Sequence, residues 1–295
     1  MKRLVLLALA CVALPVLAVP AAAQIKAPDK PKRPASPLAN QPFKPKLDTP
    51  TAADWRTVDP ENLLVIDTTK GRVLVELVPE IAPKTVARVK ELARQHFYDN
   101  LNFHRVIDGF MAQGGDPAGD GSGGSTLPNI AGEFTFRHGA GAPYAKVFSN
   151  GGQEGGFVKS VPVSGQSSDL AVMTADGKVN GWGLFCPASA GFARAGDPNS
   201  GNSQFFLMRG FKEELEKSYT VWGRVVIGED VVKALKIGEP PVGPDKMTSV
   251  RVASDLPAAE QPKVQVVDGG SAWVKTAAKY ATTVCEIDLP ARLVN

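Results

Sequence analysis

The segment FHRVIDGFMAQGGD, residues 103–116, places the cation Arg105 close to Phe110, Met111 and the amide of Gln113. A guanidinium and an amide in apolar surroundings offer hydrogen-bond donors, but neither a nucleophile with its base nor a set of metal ligands. Such a group is suited to holding a peptide and polarising one bond. The alternative is an ordinary surface ion pair at Arg105. The aromatic and amide neighbours, which recur in SQFF at residues 203–206, favour a site.

Other motifs in the chain give weaker indications of chemistry. GDGSGG at residues 119–124 satisfies G-x-G-x-x-G, but Ser-Thr-Leu-Pro follows it, not the helix that a dinucleotide site requires, so we expect a flexible loop. His96, His104 and His138 lack close metal-ligand spacing, and we expect His104 to be a hydrogen-bonded structural residue. A Ser-His-Asp triad assembled from distant residues stays open, although no motif marks one. The sequence therefore predicts neither a metal nor a cofactor.

The composition is that of a globular protein rich in turn residues. The 295 residues, 43% hydrophobic and 21% charged, fit one large domain with attachments or two small domains. A formal charge of +3 is too small to indicate a nucleic-acid partner. With 29 glycines, 24 prolines and few aromatic residues, the chain favours turns and short strands over long helices.

The amino terminus has the pattern of an export signal. Lys2 and Arg3 precede an apolar run over residues 4–19, and the alanines at 21–23 fit a cleavage site before Gln24. A membrane anchor is the alternative, but the run is shorter than the roughly 20 residues of a spanning helix. We therefore expect residues 1–23 to be a signal peptide of a periplasmic or secreted protein without stable membrane insertion.

Residues 24–60 combine frequent prolines with lysines and predict an extended, solvated linker. A basic arm for an anionic surface is the alternative interpretation of this segment.

Removal of the signal would leave Cys186 and Cys285 as the two cysteines of the chain. In an oxidising compartment they predict a disulfide, with two separate buried thiols as the alternative.

Hydrophobic alternation predicts many short strands. We expect them near residues 64–67, 73–77, 103–107, 110–113, 203–208, 219–226 and 246–253, with the first two forming a hairpin. Pro83 opens an apolar stripe that predicts a helix to His96, and a short helix is expected at residues 230–236. Many strands and few helices indicate a closed sheet or a sandwich.

Four blocks of the chain, in order, resemble the cyclophilin-type peptidyl-prolyl cis-trans isomerases. They are FHRVIDGFMAQGGD, GDGSGG, ARAGDPNSGNSQFFLM and YTVWGRVVIGEDVV. The resemblance covers about residues 63–253 and implies a mainly β fold, an eight-stranded antiparallel β-barrel capped by two helices. It implies an isomerase domain over residues 61–254 with an insertion at about 135–190, followed by a C-terminal extension over residues 255–295.

The resemblance implies an enzyme that accelerates rotation about Xaa–Pro bonds and assists the folding of exported proteins. The amide rotation barrier is about 18–20 kcal/mol, and rotation breaks no covalent bond, so no cofactor is needed. Arg105, a permanent cation, would donate to the prolyl group and stabilise the twisted amide. The implied partners are proline-containing unfolded or exported polypeptides, and we expect a monomer. The alternative is a non-catalytic proline-binding or chaperone module, which the intact site residues disfavour.

The resemblance also assigns the individual site residues. It implies that Arg105, Phe110 and Gln113 are catalytic, and that Met111, Ala193, Arg194, Ala195, Gln204, Phe206, Leu215 and Tyr219 bind substrate. Three positions depart from the family pattern: Asp108 stands where proline is common, Tyr219 where histidine is frequent, and Glu214 where cyclosporin-sensitive members carry tryptophan. We expect these departures to preserve activity and to weaken cyclosporin binding.

The insertion and the extension carry patterns of their own. Alternation at residues 170–173 and a turn at Asp176 and Gly177 predict a hairpin in the insertion. The extension is expected to be partly helical near residues 273–280.

Overall fold

An eight-stranded antiparallel sheet forms the body of the computed structural model, which describes residues 47–294. The predicted signal peptide and the first part of the predicted linker lie outside the described residues. In sheet order the strands are β14 (Met247–Val252), β2 (Leu63–Thr68), β3 (Gly71–Leu77), β13 (Thr220–Ile227), β11 (Ser189–Phe192), β12 (Phe205–Met208), β5 (Met111–Gly114) and β4 (Arg105–Ile107). An antiparallel bridge between Asn102 and Lys246 joins the segments before the two outer strands, so the sheet curls on itself. The mainly β, eight-stranded fold is confirmed.

Two helices pack against the core of this sheet, close to their predicted positions. They are α1 (Pro83–Arg94) and α2 (Glu229–Ala234). Pro83 suits the first helical turn, where its missing N–H is not needed. The stripe of Val86, Val89 and Leu92 is buried in the core, as its spacing predicts. In the part of the chain from residue 47 to 294, no helix has the length and apolar character of a membrane span.

The insertion forms a five-stranded antiparallel sheet. Its order is β6 (Phe136–Gly139), β10 (Lys178–Gly183), β9 (Val161–Gln166), β8 (Gln153–Val158) and β7 (Tyr144–Asn150). The turn at Gly177 is present, but residues 170–173 belong to a 3-10 helix, Ser168–Met173, so the predicted strand there is wrong. Ser167 caps this helix, because its side chain accepts a hydrogen bond from the N–H of Asp169.

A small third sheet joins the segment before the barrel to the C-terminal extension. Its strands are β1 (Trp55–Thr57), β15 (Lys263–Val267) and β16 (Ala291–Val294). The predicted solvated linker is therefore wrong for residues 54–58: β1 pairs with β15, and Asp54 and Val58 are buried. No proline interrupts residues 51–59, so their backbone N–H groups are free to pair. The predicted helical segment of the extension contains α3 (Ala272–Ala277).

A disulfide between Cys186 and Cys285 links the segment before β11 to the extension. The two Cα atoms are 5.2 Å apart, within the usual range for a disulfide. Cys186 packs with Phe157 of the insertion and Val284 of the extension in a second hydrophobic cluster. The predicted pairing is confirmed.

Candidate active site

The hairpin of β4 and β5 carries the first block of predicted site residues. Its register places Arg105 opposite Gln113, and the pairing of β5 with β12 places Gln113 opposite Phe206. Side chains that lie directly opposite on neighbouring strands share a face, so these three form a row across the sheet. On the next strand, β11, Gly191 lies opposite Phe206 and ends the row. A Cβ atom at Gly191 would collide with the Phe206 ring, so glycine leaves room for that ring.

A pocket of about 250 Å³ opens over this row. Met111 and Phe206 form part of its floor and are 1% and 5% exposed, whereas the Arg105 side chain is 40% exposed. The pocket therefore has an apolar floor and a cation at its edge. Nine predicted site residues line it: Arg105, Phe110, Met111, Gln113, Ala193, Arg194, Phe206, Leu215 and Tyr219.

The two remaining predicted site residues, Ala195 and Gln204, line an adjacent cavity of about 420 Å³. Gln113 lines both spaces, and its Nε2 donates to Oε1 of Gln204 at 2.9 Å. Gln204 in turn donates to the carbonyl oxygens of Gly121 and Gly123, at 2.9 and 2.8 Å. A chain of amides thus connects the glycine-rich loop to the pocket, and it fixes the orientation of the Gln113 side chain.

The glycine-rich loop, expected to be flexible, forms several hydrogen bonds within its own segment. The Asp116 carboxylate accepts from the N–H groups of Ala118, Asp120 and Gly121. Burial raises the pKa of Asp116, but backbone hydrogen bonds, including one from Gly123, outweigh burial and hold that pKa below its usual range. Asp116 lies two residues after the end of β5, and its ionised carboxylate organises the loop beside the site.

Arg194 and Tyr219 form the opposite edge of the pocket. The guanidinium carbon of Arg194 lies 4.5 Å from the centroid of the Tyr219 ring. Nε of Arg194 donates to the carbonyl of Ser218 at 2.9 Å, so this cation is tied to the backbone next to Tyr219. The Tyr219 ring meets Phe206 edge to face, at 6.1 Å between centroids. Tyrosine at this position therefore retains an aromatic wall.

Glu239 is a contact of Arg105 that no sequence motif indicates. Its Oε2 accepts a hydrogen bond from Nε of Arg105 at 2.6 Å, across a separation of 134 residues. On another side, the guanidinium carbon of Arg105 lies 5.9 Å from the Phe110 ring centroid. Among residues 47–294, the Nη groups of Arg105 make no hydrogen bond, so they are available to a bound molecule.

His104 and Glu214 flank the site without lining the pocket. Neither ring nitrogen of the buried His104 has a hydrogen-bond partner within residues 47–294, so the predicted hydrogen-bonded role is wrong. Strand alternation turns His104 inward, away from the face of Arg105, and burial lowers its pKa. The Glu214 carboxylate is 69% exposed and pairs with Nζ of Lys212 at 3.5 Å.

Of the residues that the structure describes, those lining the pocket include no carboxylate, histidine, cysteine or serine. Over residues 47–294, the structure has no cluster of three or more potential metal ligands among His, Cys, Asp and Glu. What the pocket offers is an apolar floor with guanidinium, amide and phenol groups above it. Such a surface binds an apolar ring and donates hydrogen bonds to a neighbouring backbone.

Comparison with known proteins agrees with this geometry. The family model for cyclophilin type peptidyl-prolyl cis-trans isomerase/CLD matches residues 63–252. A probable peptidyl-prolyl cis-trans isomerase of Brucella suis is 32% identical over 213 residues, which cover 67% of this chain and 85% of the relative. Peptidyl-prolyl cis-trans isomerase-like 1 of Rhizopus delemar is 30% identical over 172 residues, covering 58% of this chain and 78% of the relative.

Among solved structures, the crystal structure of cyclophilin AquaCyp293 from Hirschia baltica superposes with a TM-score of 0.77 and 37% sequence identity. The superposition covers 83% of this chain and 98% of that protein, so the similarity extends beyond the region that the family model matches. The sequence blocks, the curled antiparallel sheet and these relatives show that the chain belongs to the cyclophilin-type peptidyl-prolyl cis-trans isomerases.

Proposed function

We propose that this chain isomerises Xaa–Pro bonds of exported polypeptides, with Arg105 as the donor that stabilises the twisted amide. The observation that carries the proposal is the row of Arg105, Gln113 and Phe206 across three strands. It sets a cation, an amide and an apolar ring side by side at one pocket. A proline ring, its preceding amide and the adjacent backbone require these three chemistries.

Substrate binding follows from the lining of the pocket. The proline ring packs on Met111 and Phe206, whose burial keeps the floor dry. Gln113 is already oriented by its bond to Gln204, which leaves its own carbonyl oxygen for the substrate backbone. Ala193 adds a small wall along which an extended peptide fits.

Catalysis requires that the site bind the twisted amide more tightly than either planar form. Twisting the amide ends its resonance, so the prolyl nitrogen regains a lone pair and becomes a better hydrogen-bond acceptor. Arg105 lines the same pocket, and its Nη groups donate to the prolyl group in this state. Because arginine stays protonated throughout the physiological range, the donor needs no proton transfer.

Export is the second part of the proposal. It is supported by the signal-like residues 1–23, which lie outside the described structure, and by the Cys186–Cys285 disulfide, because such bonds persist in oxidising compartments. Cell fractionation with N-terminal sequencing tests it. A mature periplasmic or secreted chain that begins at Gln24 is expected, and a cytoplasmic chain that retains residues 1–23 would contradict export.

Arg105→Ala tests the catalytic role in a protease-coupled assay on a short prolyl peptide. Losing one preorganised charged donor costs about 2.7–4 kcal/mol of transition-state stabilisation, so we expect kcat/KM to fall by roughly 10²–10³-fold. Arg72→Ala is the matched control, because Arg72 forms an exposed ion pair with Asp67 away from the pocket. Unchanged turnover in a folded Arg105→Ala protein would show that Arg105 is not the donor.

A further inference from the structure

The loop between α2 and β14 is fastened to the strand that carries Arg105. Val106 and Gly238 exchange two backbone hydrogen bonds, each of 2.9 Å, in an antiparallel bridge. One residue along each chain from this bridge, Arg105 stands across from Glu239. The backbone pairing therefore brings Glu239 close to Arg105 independently of the hydrogen bond between their side chains.

The same loop is fixed by further contacts that do not involve Arg105. The Asp245 carboxylate accepts from the N–H of Lys236 at 2.9 Å and from Oγ1 of Thr69 at 2.7 Å. Nζ of Lys236 donates to the carbonyl of Val242 at 2.9 Å, which closes the loop on itself. Gly238 has φ +155°, where a side chain would also meet the backbone of the following prolines. Glu239 is thus presented by a constrained segment.

The contact engages one particular atom of Arg105. Nε of Arg105 donates to Oε2 of Glu239 at 2.6 Å, while both Nη groups of Arg105 have no hydrogen-bond partner among residues 47–294. An arginine side chain that is 40% exposed would otherwise sample many rotamers. The Glu239 carboxylate lies on one side of the guanidinium, and the Phe110 ring centroid lies 5.9 Å from its carbon on another. The guanidinium is thus held on two sides in a residue that lines the pocket.

We propose that Glu239 is a positioning residue for the isomerase reaction, which holds Arg105 so that its Nη groups meet the twisted prolyl amide. This inference rests on the proposed role of Arg105. Because Glu239 does not line the pocket, its effect passes through the placement of the donor. Donor placement matters most in the twisted state, so the loss falls on kcat, while KM changes little.

The test compares Glu239→Ala and Glu239→Gln in the full mature chain, with kcat and KM resolved on a short prolyl peptide. A donor displaced by about 1 Å can cost up to about 100-fold, and an exposed ion pair holds its partner only in part, so we expect Glu239→Ala to lower kcat roughly tenfold. Glutamine keeps an acceptor oxygen at the same reach, so Glu239→Gln should recover most of this loss. Equal losses in the two variants would overturn positioning by this hydrogen bond.

Two controls separate positioning from general damage. Glu229→Ala removes an acid that also forms a 2.6 Å ion pair, with Lys233, away from the pocket, and should leave kcat unchanged. In an Arg105→Ala background, which has no guanidinium to hold, Glu239→Ala should cause no further loss. Normal or raised kcat in Glu239→Ala would refute the inference while leaving the isomerase function intact. Absence of turnover in the unmodified chain would refute the proposed function itself.

Discussion

Replacing Cys186 and Cys285 together by alanine removes the covalent link between the segment before β11 and the extension. The closed loop has a sequence separation of 99 residues. For a loop of about 100 residues, the chain-entropy model gives up to about 4.7 kcal/mol of stabilisation at 25 °C, through the constraint on the unfolded state. In a domain of this size, 1 kcal/mol shifts Tm by about 2–4 °C, so we expect the Tm of the double variant to fall by up to roughly 9–19 °C.

Isomerase activity should survive this loss. Among the described residues, none of the nine that line the pocket at Arg105 belongs to the C-terminal extension. The row of Arg105, Gln113 and Phe206 is held by strand pairing among β4, β5 and β12, which the disulfide does not join. Below the lowered Tm, kcat/KM of the double variant should therefore match that of the unmodified chain.

Thermal denaturation and the protease-coupled assay, each with and without a thiol reductant, check both statements. The reductant should lower the Tm of the unmodified chain toward that of the double variant, and it should not affect the double variant. The stabilisation would be refuted if the reductant frees both thiols of the unmodified chain but leaves its Tm unchanged. A parallel loss of kcat/KM at low temperature would refute the independence of the site from the bond.

Two further perturbations are expected to act on inhibitor binding and on acid stability. Glu214→Trp should tighten cyclosporin binding in a titration, because an indole replaces an exposed carboxylate that is costly to bury against an apolar ligand; tight binding by the unmodified chain would contradict this. The pKa of Glu61 is lowered from 4.5 to about 2, first by its hydrogen bond from Ser254 and then by Lys90 and Arg94. Its stabilising contribution is thus complete above about pH 5 and is lost as the pH falls toward 2, so the unfolding free energy of Glu61→Gln should change less over that range, as denaturant titrations would show.

The sequence predicts the barrel strands and both packed helices because each follows local rules. Alternating apolar residues predict β3, and the apolar stripe after Pro83 predicts α1. All eleven predicted site residues line the pocket or the adjacent cavity. They were found because the resemblance matches each of them, position by position, to the family pattern. The roles of these residues in binding and catalysis stay predictions.

The structure departs from the sequence-based predictions mainly where distant parts of the chain decide it. Residues 55–57 become a strand only because Lys263–Val267 offers an edge to pair with, more than 200 residues later. Glu239 reaches Arg105 through a backbone bridge, for which neither segment carries a motif. One local signal also disagrees with its prediction: Ser167 caps a helical turn, whereas the apparent alternation of residues 170–173 indicates a strand.

Strand β2 shows why the additions form part of the same packed structure as the barrel. Its residues 63–66 are all apolar and at most 2% exposed, whereas a strand with one solvated face would alternate. Leu64 and Ile66 belong to the barrel core, while Leu63 and Val65 pack in the second cluster, which includes Val264 and Val266 of the extension. The continuous apolar run LLVI in the sequence is thus the signature of a strand buried on both faces. It follows that the family boundary near residue 254 does not separate two cores, and that the extension covers apolar barrel surface that water would otherwise meet.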